Sequence, residues 1–394
     1  MHLPSHRLRQ KALLLSVIAV GAVTYGLLVM LEGLSRASSR FGDFQIDGAH
    51  AIREGISIWG PSSDVASEHF RSPAFYGHLL YLILYPFSFL PDGTDRTFFA
   101  VLNCILLVFA AYVLAKISDL SALRSAIFFA FVATSTPTLV AIGNSQTSIL
   151  VLSFCTAGLL RQGTLQSLCF GLASFKLSFL PNLMGATFGL RRKGDSLMFF
   201  AGVISPALVL VAATGREGDF AAPFVAQRDG PQMALGQGDL LTVFRIAGFN
   251  SAQILALCIV ASMLFTTCVT RYLLSRGHAP LVILGFTMHV SLLTLGHLVY
   301  DYLVLAPLIA FWLSRSFSIM TLSLLSLAFL QMNSGKFLDV GGWLLNNQMS
   351  SLWLGTAEGV FFSFFLNTVI FSLAFFHAGR VCQERSSAIE TDSN

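Results

Sequence analysis

The chain predicts an all-α polytopic membrane protein, and three observations carry that prediction. Of its 394 residues, 55% are hydrophobic and only 11% charged, against about 25% charge in an average soluble domain. Its mean hydropathy is +0.72. The apolar residues come in long blocks, many near the roughly 20 residues that a helical crossing needs.

The first apolar block, Ala12 to Leu31, follows the basic stretch HRLRQK. It is too long for a signal-peptide core and ends at no small-residue cleavage site, so it reads as a retained anchor. Basic clusters then recur at Arg7/Arg9/Lys11, Lys116/Arg124, Arg161, Arg191/Arg192/Lys193, Arg271/Arg276, Arg315 and Arg380/Arg385. Cytoplasmic loops collect Lys and Arg, and with all of these inside, the crossings between them alternate without conflict. That arrangement puts 14 of the 24 Lys and Arg in the cytoplasm and 15 of the 20 acids outside or at the outer boundary. The spans it predicts are roughly 12–34, 96–116, 125–142, 147–161, 164–175, 177–190, 195–213, 249–274, 279–297, 301–314, 316–333 and 359–380, twelve in all with both termini cytoplasmic.

Three features depart from a plain bundle. Residues 73–90 are apolar, yet counting them as a crossing would reverse every later loop; they are expected to dip into the outer leaflet or lie along it as juxtamembrane helix. The stretch TLQSLCFGLASFKLSFLPNLMGATFGL must go out and back between Arg161 and Arg191, with only about 11–14 residues per leg. Such short legs are tolerated only where protein or a wet cavity covers them. External loops are expected at about 35–72, within a first external region 35–95, and at 214–248 and 334–358. The reading is one transmembrane domain over 1–380 and a disordered cytoplasmic tail over 381–394.

Composition and motifs also exclude chemistry. The six cysteines lie in apolar segments or near their cytoplasmic ends, with no CxxC, so neither a disulfide framework nor a zinc site is expected. No Walker loop, dinucleotide fingerprint, HExxH or GxSxG is present. Nothing forms a carboxylate cluster for a metal, no cofactor is implied, and no nucleic-acid partner is expected. The 36 phenylalanines read as lipid-facing and core packing.

The candidate functional residues are polar groups at the outer ends of the spans. Asp43 and Asp47 are four apart and would share a face of a helix starting near Gly42, where the macrodipole keeps Asp43 ionised. GNSQTS, Gly143 to Ser148, is a polar turn holding Gln146. Lys176 sits at the tip of the short hairpin between Phe175 and Leu177, and an intramembrane cation is a functional candidate by default. GHLVYDY sets His297 and Asp301 four apart beside Tyr300 and Tyr302. Plain alternatives stand beside these: a helix cap for Asp47, snorkelling for Lys176, a mutual pair for His297 and Asp301, and solvated charge for His69, Arg71 and Arg228. Carboxylate and cations gathered on one side suit group transfer from a phosphate-bearing lipid, with a base for the attacking hydroxyl and positive charge for the leaving phosphate.

The order of these features resembles the integral-membrane glycosyltransferases of the GT-C fold, and among them family 87. It comprises a first external loop with an early acid, an apolar segment opened by proline, a polar turn, a GLA..K....P hairpin and a late His near an Asp. The similarity covers most of residues 12–315 in short motifs. It implies transfer of a hexose, typically mannose, from a polyprenyl-phosphate donor to a hydroxyl of a glycolipid or glycan acceptor, outside the membrane and with inversion. It further implies that Asp43 in GDF is the base. Lys176 in SFKLSFLP is then a donor-phosphate or structural cation, and His297 in GHLVYDYLVLAP a donor-phosphate ligand that Arg71 assists. Asp47, Gln146, Ser148, Asp301 and Tyr300 fall to acceptor or sugar binding. Arg71-Ser72-Pro73 stands where members often have Tyr-Pro-Pro, and GNSQTS where they have Gly-Gln-x-Asn, departures that bear on acceptor and sugar more than on fold. A monomer in a bacterial inner membrane, with its site on the external side, is expected. The competing readings are a flippase or transporter of an amphiphilic solute, against which stand the clustering of polar groups at one face and the lack of an internal repeat, and a non-catalytic scaffold.

Overall fold

The computed structural model describes residues 6–39, 45–56, 58–59, 76–91, 93–161, 163–223, 238–249, 252–334 and 357–392. Within them the protein is helical, with no strand and one isolated antiparallel bridge between Tyr76 and Lys176. Five helices are long and apolar enough to cross a bilayer: Ser16–Ser38, Thr94–Ile117, Asp195–Thr214, Ala252–Ser275 and Gly359–Arg380. Their outer faces leave Val17, Leu28, Ile105, Leu208, Leu257 and Phe365 bare. So much exposed apolar surface is a liability in water and suits lipid.

A sixth candidate span is a broken one. Ala122–Ala133 and Thr136–Gly143 meet at 59°, where Ser135 caps the second helix and Pro137 opens it. A break at membrane depth frees backbone groups that protein must satisfy. Asn333 does so, its Oδ1 accepting from the Thr136 N–H at 3.1 Å and from the Thr136 hydroxyl at 3.3 Å.

All twelve segments expected to cross are helical, but the others are shorter: Ser148–Leu160, Thr164–Ala173, Leu177–Leu190, Pro280–Thr294, Val299–Leu313 and Ile319–Met332. A ten-residue helix rises only about 15 Å, half of a hydrocarbon layer about 30 Å thick. Protein makes up part of the difference. Every residue from Leu281 to Leu293 is buried, as is every one from Tyr300 to Leu313. A helix that is apolar all round is one wrapped by its neighbours, and these two form the centre of the core.

The expected out-and-back hairpin is present as Thr164–Ala173, a 3-10 turn Leu177–Phe179 and Leu180–Leu190. Both legs sit unusually close to longer helices. A Cβ on Gly171 would lie 2.1 Å from the Phe199 carbonyl oxygen, and one on Gly185 would lie 2.4 Å from that of Met263. Only glycine permits these approaches. The segment expected along the outer leaflet forms a helix, His78–Leu84, running into a 3-10 turn Tyr85–Phe89.

Two boundaries differ from expectation. The first external helix begins at Ile46 rather than near Gly42. The last helix runs on to Asp392 instead of giving way to a disordered tail at 381, because VCQERSSAIETD holds neither glycine nor proline to stop it.

Candidate functional site

Lys176 occupies an extended residue, φ −86° and ψ 98°, between the hairpin's first leg and its 3-10 turn. The chain cannot continue as helix there, so the side chain projects inward instead of up the helix wall. Its ammonium donates to Asp301 Oδ1 and, at 3.3 Å, to the Ser148 hydroxyl, which itself donates to the same carboxylate oxygen. Asp301 Oδ2 accepts the Leu298 N–H at 3.1 Å, which ties the carboxylate to the start of the 3-10 segment Val299–Leu305. The Lys176 and Asp301 side chains are 8% and 1% exposed. A buried charge is tolerated when it is paired and hydrogen-bonded, and both conditions are met.

Aromatic faces complete the enclosure of the ammonium. It lies 4.5 Å from the Tyr300 ring centroid, 5.8 Å from that of Tyr76 and 5.9 Å from that of Phe179. A cation over such rings is attracted by their quadrupoles. Tyr76 also donates its hydroxyl to Gln146 Oε1 at 3.3 Å, while the Gln146 carbonyl accepts from Asn103 at 3.1 Å. The polar turn is thus drawn into the protein: Gln146, Thr147 and Ser148 are completely buried, and Ser145 takes a left-handed φ of 51° to make the turn.

A second buried group lies just before the same 3-10 segment. His297 Nδ1 donates to the Leu295 carbonyl at 3.0 Å and stands 3.8 Å from Asp239 Oδ2. The Tyr302 ring meets the His297 ring edge-on at 5.3 Å. The Tyr302 hydroxyl lies 3.0 Å from Ser363 Oγ and accepts from Asn367 Nδ2 at 3.0 Å. His297 and Asp301 therefore do not pair with each other. Residues 295–298 are not helical; Leu295 and Leu298 are extended, with ψ of 150° and 170°, so four-residue spacing no longer means a shared face.

Asp47 stands apart from both clusters, on the helix Ile46–Arg53, with Arg96 Nη2 at 3.4 Å. Burial raises its carboxyl pKa above the usual value while Arg96 pulls it back. On the same helix, His50 Nε2 is 2.7 Å from Asp95 Oδ2. Gln45, two residues after Asp43 in sequence, is buried and accepts from the Tyr81 hydroxyl at 3.5 Å. Asp43 and Arg71 lie outside the described residues.

The structure thus brings Ser148, Lys176, Tyr300 and Asp301 into one cluster, with Gln146 joined through Tyr76, and sets His297 next to it in sequence and fold. Asp239, Tyr76 and Asn367 are the site residues that sequence reasoning passed over. Asp239 had a signal: GDLLT reads as an N-cap ahead of an apolar run, and its carboxylate does accept the Thr242 N–H at 2.8 Å. Among the described residues no group of three or more His, Cys, Asp or Glu is placed to hold a metal ion.

Comparison with known proteins gives one family. The model of glycosyltransferase family 87 matches residues 75–295, more than half of the chain. The matched region holds Tyr76, Gln146, Ser148, Lys176 and Asp239, and ends two residues before His297. No curated protein matches.

Proposed function

The chain belongs to glycosyltransferase family 87 and is a membrane glycosyltransferase, and from that premise we propose that it transfers a hexose, mannose foremost, from a polyprenyl-phosphate donor. The acceptor is a hydroxyl of a glycolipid or glycan, the reaction inverts the anomeric carbon, and the site faces outward from a bacterial inner membrane. In this reading Asp43 takes the proton of the acceptor hydroxyl as its oxygen bonds to the sugar's C1. The bond from C1 to the phosphate oxygen breaks, and its electron pair leaves with the lipid phosphate. Positive side chains stabilise that departing charge: His297, Arg71 and the Lys176 ammonium. The transition state is oxocarbenium-like, by analogy with glycoside cleavage, and the reaction needs no divalent metal.

The observation that carries this reading is the enclosure of Lys176, the one buried Lys or Arg among the described residues, by Asp301, Ser148 and three aromatic rings. Since Asp301 already neutralises the ammonium, Lys176 holds the floor of the site as much as it attracts a phosphate. Ser148, Gln146, Asp301 and Tyr300 supply hydrogen bonds and ring faces of the kind that sugar recognition uses, and Asp47 remains a contributor on the acceptor side. The test is transfer of labelled mannose from polyprenyl-phosphate mannose in membranes carrying the protein. Asp43→Asn abolishes product while donor binding and folding persist; wild-type turnover by this variant would refute the base assignment. Vesicles that move an intact lipid-linked sugar without forming a glycosidic bond would favour transport instead.

A further inference from the structure

We infer that Asp239 is a positioning residue for His297, holding the Nδ1 side of the ring so that Nε2 meets the departing phosphate. The inference rests on the proposed reading in one respect, that His297 faces the donor phosphate.

Asp239 has no Lys or Arg within ion-pair distance among the described residues. It is completely buried, and among the described residues the nearest basic group is His297, 3.8 Å away. Capping accounts for part of its surroundings: Oδ1 accepts the Thr242 N–H and Oδ2 the Thr242 hydroxyl, each at 2.8 Å. Serine or asparagine would cap as well without placing a full negative charge in a dry interior, where an unpaired charge is costly. The carboxylate therefore has a second task.

His297 shows what that task is. A carbonyl oxygen can only accept, so its contact with Leu295 puts a proton on Nδ1 whatever the ring's charge. Nε2 is then the site of change, and it is buried with no hydrogen-bond partner among the described residues. Asp239 Oδ2 and the Leu295 carbonyl both lie on the Nδ1 side of the ring, which leaves Nε2 as the atom turned towards an incoming phosphate oxygen. The ionisable groups close to the ring are Asp239 from the segment before Leu240–Ile246, Tyr302 from the 3-10 segment and His289 from Pro280–Thr294. Of these only Asp239 can carry negative charge at neutral pH.

Asp239 is itself held firmly. Gly238 has φ +84°, and a Cβ there would meet the Phe364 N at 2.5 Å. Asn367 donates to the Gly238 carbonyl at 3.2 Å. The last helix thus anchors the backbone one residue before the carboxylate, and the cap anchors it three residues after.

The experiment compares Asp239→Asn and Asp239→Ser, which keep a capping oxygen and lose the charge, with Asp239→Glu. It follows sugar transfer from polyprenyl-phosphate mannose in protein that melts as wild type does. Both neutral variants should lose at least tenfold in kcat with little change in KM for the acceptor. Asp239→Glu should recover part of the rate. In a His297→Ala background, which is itself slow, Asp239→Asn should add nothing. Wild-type kcat in both neutral variants would overturn the inference, as would an equal loss with and without His297. Full activity of His297→Ala would instead sink the phosphate role of the histidine, a separate failure.

Discussion

The two buried acid–base pairs flanking Val299–Leu305 are built alike and finished differently. In the Lys176–Asp301 pair both partners are well bonded: the ammonium meets carboxylate, hydroxyl and ring faces, and the carboxylate accepts a backbone N–H on its far oxygen. In the Asp239–His297 pair the contact is looser, 3.8 Å, and one ring nitrogen has nothing to bond among the described residues. A closed pair holds a shape, whereas an open one has chemistry left to do. One segment of seven residues carries Asp301, the acid of the first, and begins two residues after His297, the base of the second.

Removing one partner of the closed pair should have the largest effect. Lys176→Met strands a buried carboxylate, a loss of about 3–5 kcal/mol for such pairs. Detergent-solubilised protein should melt far below wild type or fail to accumulate. Adding Asp301→Asn should recover much of that stability without recovering transfer. An unaltered melting point in the single variant would mean that the pair is no brace.

A smaller effect is expected behind the open pair. Gly238→Ala forces a side chain into a left-handed backbone and against the last helix, and overpacking of this kind costs about 1–3 kcal/mol. Here transfer should fall further than stability, because the displaced element carries Asp239. A loss of stability with unimpaired transfer would separate the two and weaken the contrast. The smallest effect is assigned to Asp47→Asn, which removes a partly exposed contact with Arg96 at 3.4 Å. Pairs of this kind contribute about 1 kcal/mol or less, so the melting point should scarcely move.

How much of this could be read in advance follows from sequence distance. Apolar runs are local, and they disclosed the long apolar helices as well as the shorter ones, His78–Phe89 included. Lys176, Ser148, Asp301, Tyr300 and Gln146 were visible because polar residues amid such runs need a reason. Their partners were not visible. Ser148 and Asp301 are 153 residues apart and Lys176 and Asp301 are 125, and no pattern along one chain reports which distant ends meet. The alternative that His297 and Asp301 pair with each other failed on local backbone, since extended residues at 295 and 298 interrupt the helical period. Asp239 was missed because one acid in a polar loop looks like any other until a helix is seen to close over it. Helix lengths were overstated for a similar reason: composition reports that a segment avoids water, not whether lipid or protein replaces it.

The bridge between Tyr76 and Lys176, reinforced by the Gly77 N–H donating to the Phe175 carbonyl at 2.6 Å, has a mechanical consequence. Main-chain links have no rotamers to spare, so the two strips of backbone travel together. The position of the ammonium is thereby tied to that of the helix beginning at His78, so a displacement of that helix is passed on to the cluster around Lys176.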